Sequence, residues 1–252
     1  MFESRAAIEW GGAVLWLVGV IGGSFLVSWL LTDVLHLRRA PYVAWLALFT
    51  GTMTAGYLAW SGGGAAFWVE GWTWGVLGAV LAGSFLSLMV SRIPRQRGPG
   101  GPSGIAALWE GVVYGSAEGL LLSVLPVVIT WQMLASLGWN GGWAGVAAGG
   151  AAVAASVVVI VAHHLGYRQY RGPAIASPVV GCAVLSVAYL VTANPIAAMG
   201  GHIILHLSMQ GRGLELPPHA TEVPIGEAEG TIPRPEGTPR DGGLEPARTA
   251  SA

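Results

Sequence analysis

The chain has 252 residues, 53% of them hydrophobic and only 10% charged, with a formal net charge of −1. Soluble domains carry about 25% charged residues, so this composition excludes an ordinary soluble protein. The near-zero charge leaves no basic footprint for nucleic acid, and the single cysteine, Cys182, excludes a disulfide framework or a cysteine-rich metal site.

The charges are unevenly spread. Eleven of the 25 lie in the last 42 residues, which leaves 14 for residues 1–210. An apolar span needs about 20 residues to cross the hydrocarbon core. Seven such stretches follow one another at 12–31, 41–60, 72–91, 105–130, 143–165, 174–193 and 195–210. The first has the wrong flanks for a cleaved signal, since Glu3, Arg5 and Glu9 precede it and no small-residue cleavage site follows. The fourth belongs to a longer apolar run, 105–137, for which either Pro126 kinks the helix or its start lies in the interface.

The loops between spans alternate in charge. Arg38 and Arg39 follow the first span, Arg92, Arg95 and Arg97 the third, Arg168 and Arg171 the fifth, and Arg212 the seventh. The other loops contain no base. The positive-inside rule then places the N-terminus outside and the C-terminus inside a cell membrane. The expected fold is all-α: a multi-pass bundle of about seven transmembrane helices in an inner or plasma membrane.

The organisation read from composition has four parts. Residues 1–97 form a three-span N-terminal part, and 98–104 a Gly/Pro cytoplasmic linker. Residues 105–210 form a four-span core. The tail 211–252 has seven prolines and mixed charges and is expected to be a disordered cytoplasmic tail. The glycines Gly145, Gly149, Gly150, Gly200 and Gly201 read as close-packing positions between helices.

Ionisable residues inside a span are costly and mark function by default. The interior exceptions all lie in the C-terminal core: Glu118, His163, His164, His202 and His206. His202 and His206 are spaced i, i+4 and share one helix face. Adjacent His163 and His164 point about 100° apart, so only one of them faces any given site. Glu110 is near enough to the interface to snorkel, and Tyr114 lies one turn before Glu118. One carboxylate with several imidazoles supports two chemistries. They can ligate a metal such as zinc, or the carboxylate can take a proton from water while imidazoles bind an oxyanion. Paired histidines also leave open a haem site and a proton-coupled transport relay.

The three clusters, in order, resemble the motifs of the CPBP family, the CAAX-type prenyl endopeptidase and bacteriocin-processing-like membrane proteins. That family carries Glu-Glu-x-x-x-Arg, Phe-x-x-x-His and His-x-x-x-Asn/Asp motifs on successive helices. Here Ala117-Glu118-Gly119-Leu120-Leu121-Leu122, Val159-Ile160-Val161-Ala162-His163 and His202-Ile203-Ile204-Leu205-His206 stand in their places. Only one acid of the glutamate pair is present, Leu122 stands for the arginine, Val159 for the phenylalanine and His206 for the amide or acid. The resemblance covers about residues 105–210. It implies an intramembrane endopeptidase acting on a membrane-associated peptide near the cytoplasmic face. Glu118 would be its base, His163 and His202 the partners, and His206 the oxyanion contributor. It also leaves room for a metal, for which zinc held by Glu118, His163, His202 and His206 is the expectation, and for a catalytically inactive member.

Overall fold

The computed structural model describes residues 9–95 and 104–214. Most of the linker 98–104 and the tail beyond residue 214 lie outside these. The described residues are helical, without a strand among them. Helix α1 (Trp10–Trp29) widens into a π-helical end over Leu30–Val34. Helix α2 (Arg39–Trp60) returns antiparallel, and a four-residue helix at Ala66–Val69 leads into α3 (Trp72–Ser91). Helix α4 is a composite. After Gly104–Ala106 it is π-helical over Ala107–Val113, α-helical over Tyr114–Glu118, π-helical over Gly119–Val124 and α-helical over Leu125–Ala135. Helices α5 (Gly142–Leu165), α6 (Ala176–Thr192) and α7 (Ile196–Gly211) complete the bundle.

Five of these helical stretches, Trp10–Val34, Trp72–Ser91, Ala107–Ala135, Gly142–Leu165 and Pro173–Thr192, are long and apolar enough to cross a bilayer. Their lipid-facing positions carry large exposed side chains such as Leu15, Leu88 and Val146, an arrangement that suits a lipid environment and not water. Helix α2 is long and unbroken, but Thr50, Gly51, Thr52, Thr54 and Gly56 dilute its apolar run. Helix α7, at 16 residues, is shorter than the roughly 20 that a perpendicular crossing needs.

Helix α4 is the axis of the bundle. Its most apolar stretch is 78% buried, against 22–33% for the other four. A helix that is apolar all round has to be enclosed, and α4 is enclosed by α1, α2, α5, α6 and α7. Pro126 sits at the start of the Leu125–Ala135 segment, directly after a π-helical stretch. The wider turns absorb the hydrogen bond that proline cannot donate. One carbonyl in that stretch, that of Leu122, accepts the Ser156 hydroxyl of α5 at 2.7 Å.

Two ends of the bundle are chemically distinct. At one end Asp33 pairs with Arg168 and Arg171, Arg39 with Glu110, and the Arg212 guanidinium donates to the Ile93 carbonyl. At the other end Tyr57 bonds Gln132, Trp10 bonds Ser136, and the Asn194 amide donates to the Trp68 and Glu70 carbonyls. Trp60, Trp68, Trp72 and Trp74 are exposed near that second end.

Candidate functional site

The site begins with a spacing of glycines on α4. Gly111, Gly115 and Gly119 recur every fourth residue and so lie on one helix face. A Cβ on Gly115 would sit 3.0 Å from the Ile203 Cα and backbone nitrogen, and one on Gly119 would sit 2.7 Å from the Met199 Cα. Only hydrogen fits there, so the backbones of α4 and α7 touch, as small residues allow between membrane helices. Glu118, next to Gly119, is thereby carried against His202 and His206 on α7.

Helix α5 is fixed by α1. The Ser28 hydroxyl donates to the His163 carbonyl at 2.7 Å, and a Cβ on Gly166 would collide with the Ser28 oxygen. This contact brings His163 onto the same carboxylate from the other side. Glu118 Oε2 lies 3.0 Å from His206 Nε2, and Glu118 Oε1 lies 3.6 Å from His163 Nε2. Glu118, His202 and His206 each offer a ligand atom within 4.8 Å of the others. All four side chains are buried. The four residues singled out in the sequence therefore converge from three helices.

The second nitrogens of two imidazoles have defined partners. His163 Nδ1 faces the Ser24 carbonyl at 3.3 Å, and His206 Nδ1 faces the Glu110 carbonyl at 3.3 Å. A carbonyl only accepts, so both Nδ1 atoms carry hydrogen. In the neutral rings His163 Nε2 then accepts from the Tyr167 hydroxyl at 2.9 Å, while His206 Nε2 is turned toward Glu118. A carboxylate 3.0 Å from that lone pair is repelled unless a cation or a shared proton sits between them. The site chemistry is thus proton transfer or metal ligation. His202 Nε2 lies 3.5 Å from the Cys182 sulfur, while its Nδ1 has no well-formed hydrogen bond.

His163 and His164 separate as the 100° rule requires. His164 turns away from the carboxylate, bonds its own Ile160 carbonyl at 2.9 Å and packs edge-on to Tyr170 with ring centroids 5.0 Å apart. Tyr170 lies in the loop after α5, where burial pushes its phenol above the usual value. Glu110 is not part of the convergent group; its carboxylate takes Arg39 at 3.2 Å.

A cavity of about 490 Å³ reaches the site, with Glu118, His202 and His206 in its wall. The rest of the lining is largely apolar, including Leu86, Met89 and Ile93 of the α3 end and Val180 of α6. It lies at the arginine-bearing ends of α3 and α6, which contribute Leu86, Met89, Val180 and Gly181 to its wall; toward the other end the two helices touch where Gly78 meets Thr192 and Ala188.

Sequence reading missed four contributors. The Gly111/Gly115/Gly119 repeat was visible as small residues at four-residue spacing. Ser24 and Tyr42 come from α1 and α2, helices without interior ionisable groups, and no local signal marks them. Tyr167 follows His163 by one turn, and its hydroxyl lies 2.9 Å from His163 Nε2. Comparison with protein-family models, curated proteins and solved structures gave no match to this chain.

Proposed function

We propose that the chain is an intramembrane hydrolase, resembling CPBP-type endopeptidases, that cleaves a peptide bond in a membrane-associated peptide. The observation that carries this reading is the Glu118 carboxylate held between His206 Nε2 at 3.0 Å and His163 Nε2 at 3.6 Å, in the wall of a largely apolar cavity. His206 shares a proton with Glu118 Oε2 and holds the carboxylate in place. Oε1 takes a proton from water as the water oxygen attacks the substrate carbonyl. His202, buried in the cavity wall, faces the developing oxyanion, and low surrounding polarity strengthens that contact. The proton on Glu118 then passes to the leaving amine. The water supplies one hydrogen to the amine and its hydroxyl to the carbonyl, so the step balances as hydrolysis. The arginines at one end and the tryptophans at the other support seven spans with the N-terminus outside and the arginine end in the cytoplasm.

A metal centre is the second reading, and the donor set favours it. Imidazoles that ligate a metal usually give their other N–H to a backbone carbonyl or carboxylate, as His206 does here. Glu118, His202 and His206 would hold the ion, since each offers a ligand atom within 4.8 Å of the others. Such an ion would supply Lewis acidity at the same carbonyl.

The test is to incubate the protein in lipid vesicles with a panel of membrane-anchored peptides and identify fragments by mass spectrometry. Cleavage by the wild type that disappears in Glu118→Gln supports the hydrolase. Equal cleavage by both proteins, or none by either, overturns it.

A further inference from the structure

His163 has two nitrogens and three polar neighbours, which leaves little freedom in how its hydrogens are arranged. Nδ1 faces the Ser24 carbonyl at 3.3 Å and must be the N–H. In the neutral ring Nε2 is then an acceptor. Its hydrogen-bond partner is the Tyr167 hydroxyl at 2.9 Å, while Glu118 Oε1 at 3.6 Å is beyond hydrogen-bond range. Having given its hydrogen to Nε2, the Tyr167 oxygen can only accept, and the Tyr42 hydroxyl bonds it. The direction of the chain is fixed throughout: Tyr42 to Tyr167, Tyr167 to His163, His163 to Ser24. All four residues are fully or almost fully buried, so no water competes for these groups.

We propose that Tyr167, backed by Tyr42, is a positioning residue of the site that holds neutral His163 in its Nδ1–H tautomer and so keeps the His163 ring from capping Glu118 Oε1. Without the Tyr167 hydroxyl, Nε2 loses the donor that lies 2.9 Å away. Moving the ring hydrogen to Nε2 and donating it to Glu118 Oε1 is then the favourable arrangement. That change would occupy the second carboxylate oxygen, since His206 already takes the first. It would also leave the Ser24 carbonyl without its donor. The tyrosine pair thus prevents His163 from closing off the base. The consequence for turnover rests on the hydrolase reading; the tautomer does not.

The deciding measurement is nitrogen NMR of the full chain with ¹⁵N-labelled histidine in lipid nanodiscs, at a pH where imidazoles are neutral. The His163 signals are assigned by their loss in His163→Gln. The wild type is expected to show a protonated Nδ1 and a bare, hydrogen-bonded Nε2. Tyr167→Phe is expected to move the hydrogen to Nε2, and Tyr42→Phe to weaken the Nε2 hydrogen bond without moving it. A His163 already protonated at Nε2 in the wild type, or an unchanged Nδ1–H tautomer in Tyr167→Phe, overturns the proposal. Tyr170→Phe, whose ring packs on His164 and Tyr167, serves as the control for aromatic packing and is expected to leave the His163 signals in place. If peptide cleavage is found, Tyr167→Phe should lower turnover about tenfold to a hundredfold, the range for a lost orienting partner, with substrate affinity retained. If none is found, the NMR result still decides the tautomer.

Discussion

Gly119 approaches Met199 so closely that a methyl group on it would sit 2.7 Å from the Met199 Cα. This backbone-on-backbone contact sets the distance between Glu118 and the α7 histidines. A flexible side chain could move aside, but a backbone atom in a packed helix cannot. Gly119→Ala should therefore destabilise the fold by about 1–3 kcal/mol, as overpacking does, and shift Glu118 from His206. Gly150→Ala, where nothing lies within 4 Å of the added carbon, should leave the thermal midpoint unchanged or raised. Thermal unfolding of both variants in the same detergent checks this, and a neutral Gly119→Ala would contradict it.

Turnover should separate the two adjacent histidines. His163 reaches toward Glu118, whereas His164 is turned to Ile160 and Tyr170. His163→Ala should lower peptide cleavage by about tenfold to a hundredfold, the scale of a lost orienting partner. His164→Ala should change it only severalfold through the cavity wall. Initial rates on one substrate suffice, and a larger effect at His164 would reverse the assignment.

Metal content discriminates the two readings of the site. With zinc bound by Glu118, His202 and His206, elemental analysis should find one ion per chain. That ion should be lost in His202→Ala and His206→Ala and kept in His164→Ala. A chelator should lower the thermal midpoint of the wild type and of His164→Ala, and leave those of His202→Ala and His206→Ala unchanged, because binding to the folded state alone stabilises it. A wild type free of metal after loading with zinc leaves the proton-transfer reading.

The end carrying Asp33 makes a smaller prediction. Asp33 takes Arg171 at 2.7 Å and Arg168 at 3.3 Å, but both arginines are substantially exposed. Exposed pairs contribute about 0.2–1 kcal/mol and are screened by salt. Asp33→Asn should lower the thermal midpoint slightly in low salt and leave it unchanged in high salt.

Membrane orientation is open to a direct check. In a Cys182→Ser background, a cysteine placed at Arg95 should react with an impermeant maleimide only after the cells are opened. One placed at Gly62 should react in intact cells. The reverse pattern would place the arginine end outside.

The sequence showed the helices because crossing a membrane demands long apolar runs, and it showed Glu118, His163, His202 and His206 because charge and imidazole are rare inside them. It did not show how the helices meet. The Ser28 contact that seats α5 links residues 135 positions apart, and serine is common in spans. Tyr42 and Tyr167 were invisible for the same reason, as aromatics that read as core. Pro126 or an interfacial start was expected to account for the length of the fourth apolar run; the structure places Pro126 just after a six-residue π-helical stretch. The Gly111/Gly115/Gly119 stripe was legible in principle, since its spacing alone places it on one face.

Glu118 ends a five-residue α-helical island, with π-helical stretches before it and after it. A π turn holds about one residue more than an α turn. Deleting one residue from Gly119–Val124 would let that stretch relax to an ordinary helix and leave the helix beyond it nearly in register with the acid, because the wide turn already carries the extra residue. Related chains that differ by a single deletion here would keep both the bundle and the direction of the carboxylate. The wide turns let this short segment change length without re-aiming the acid.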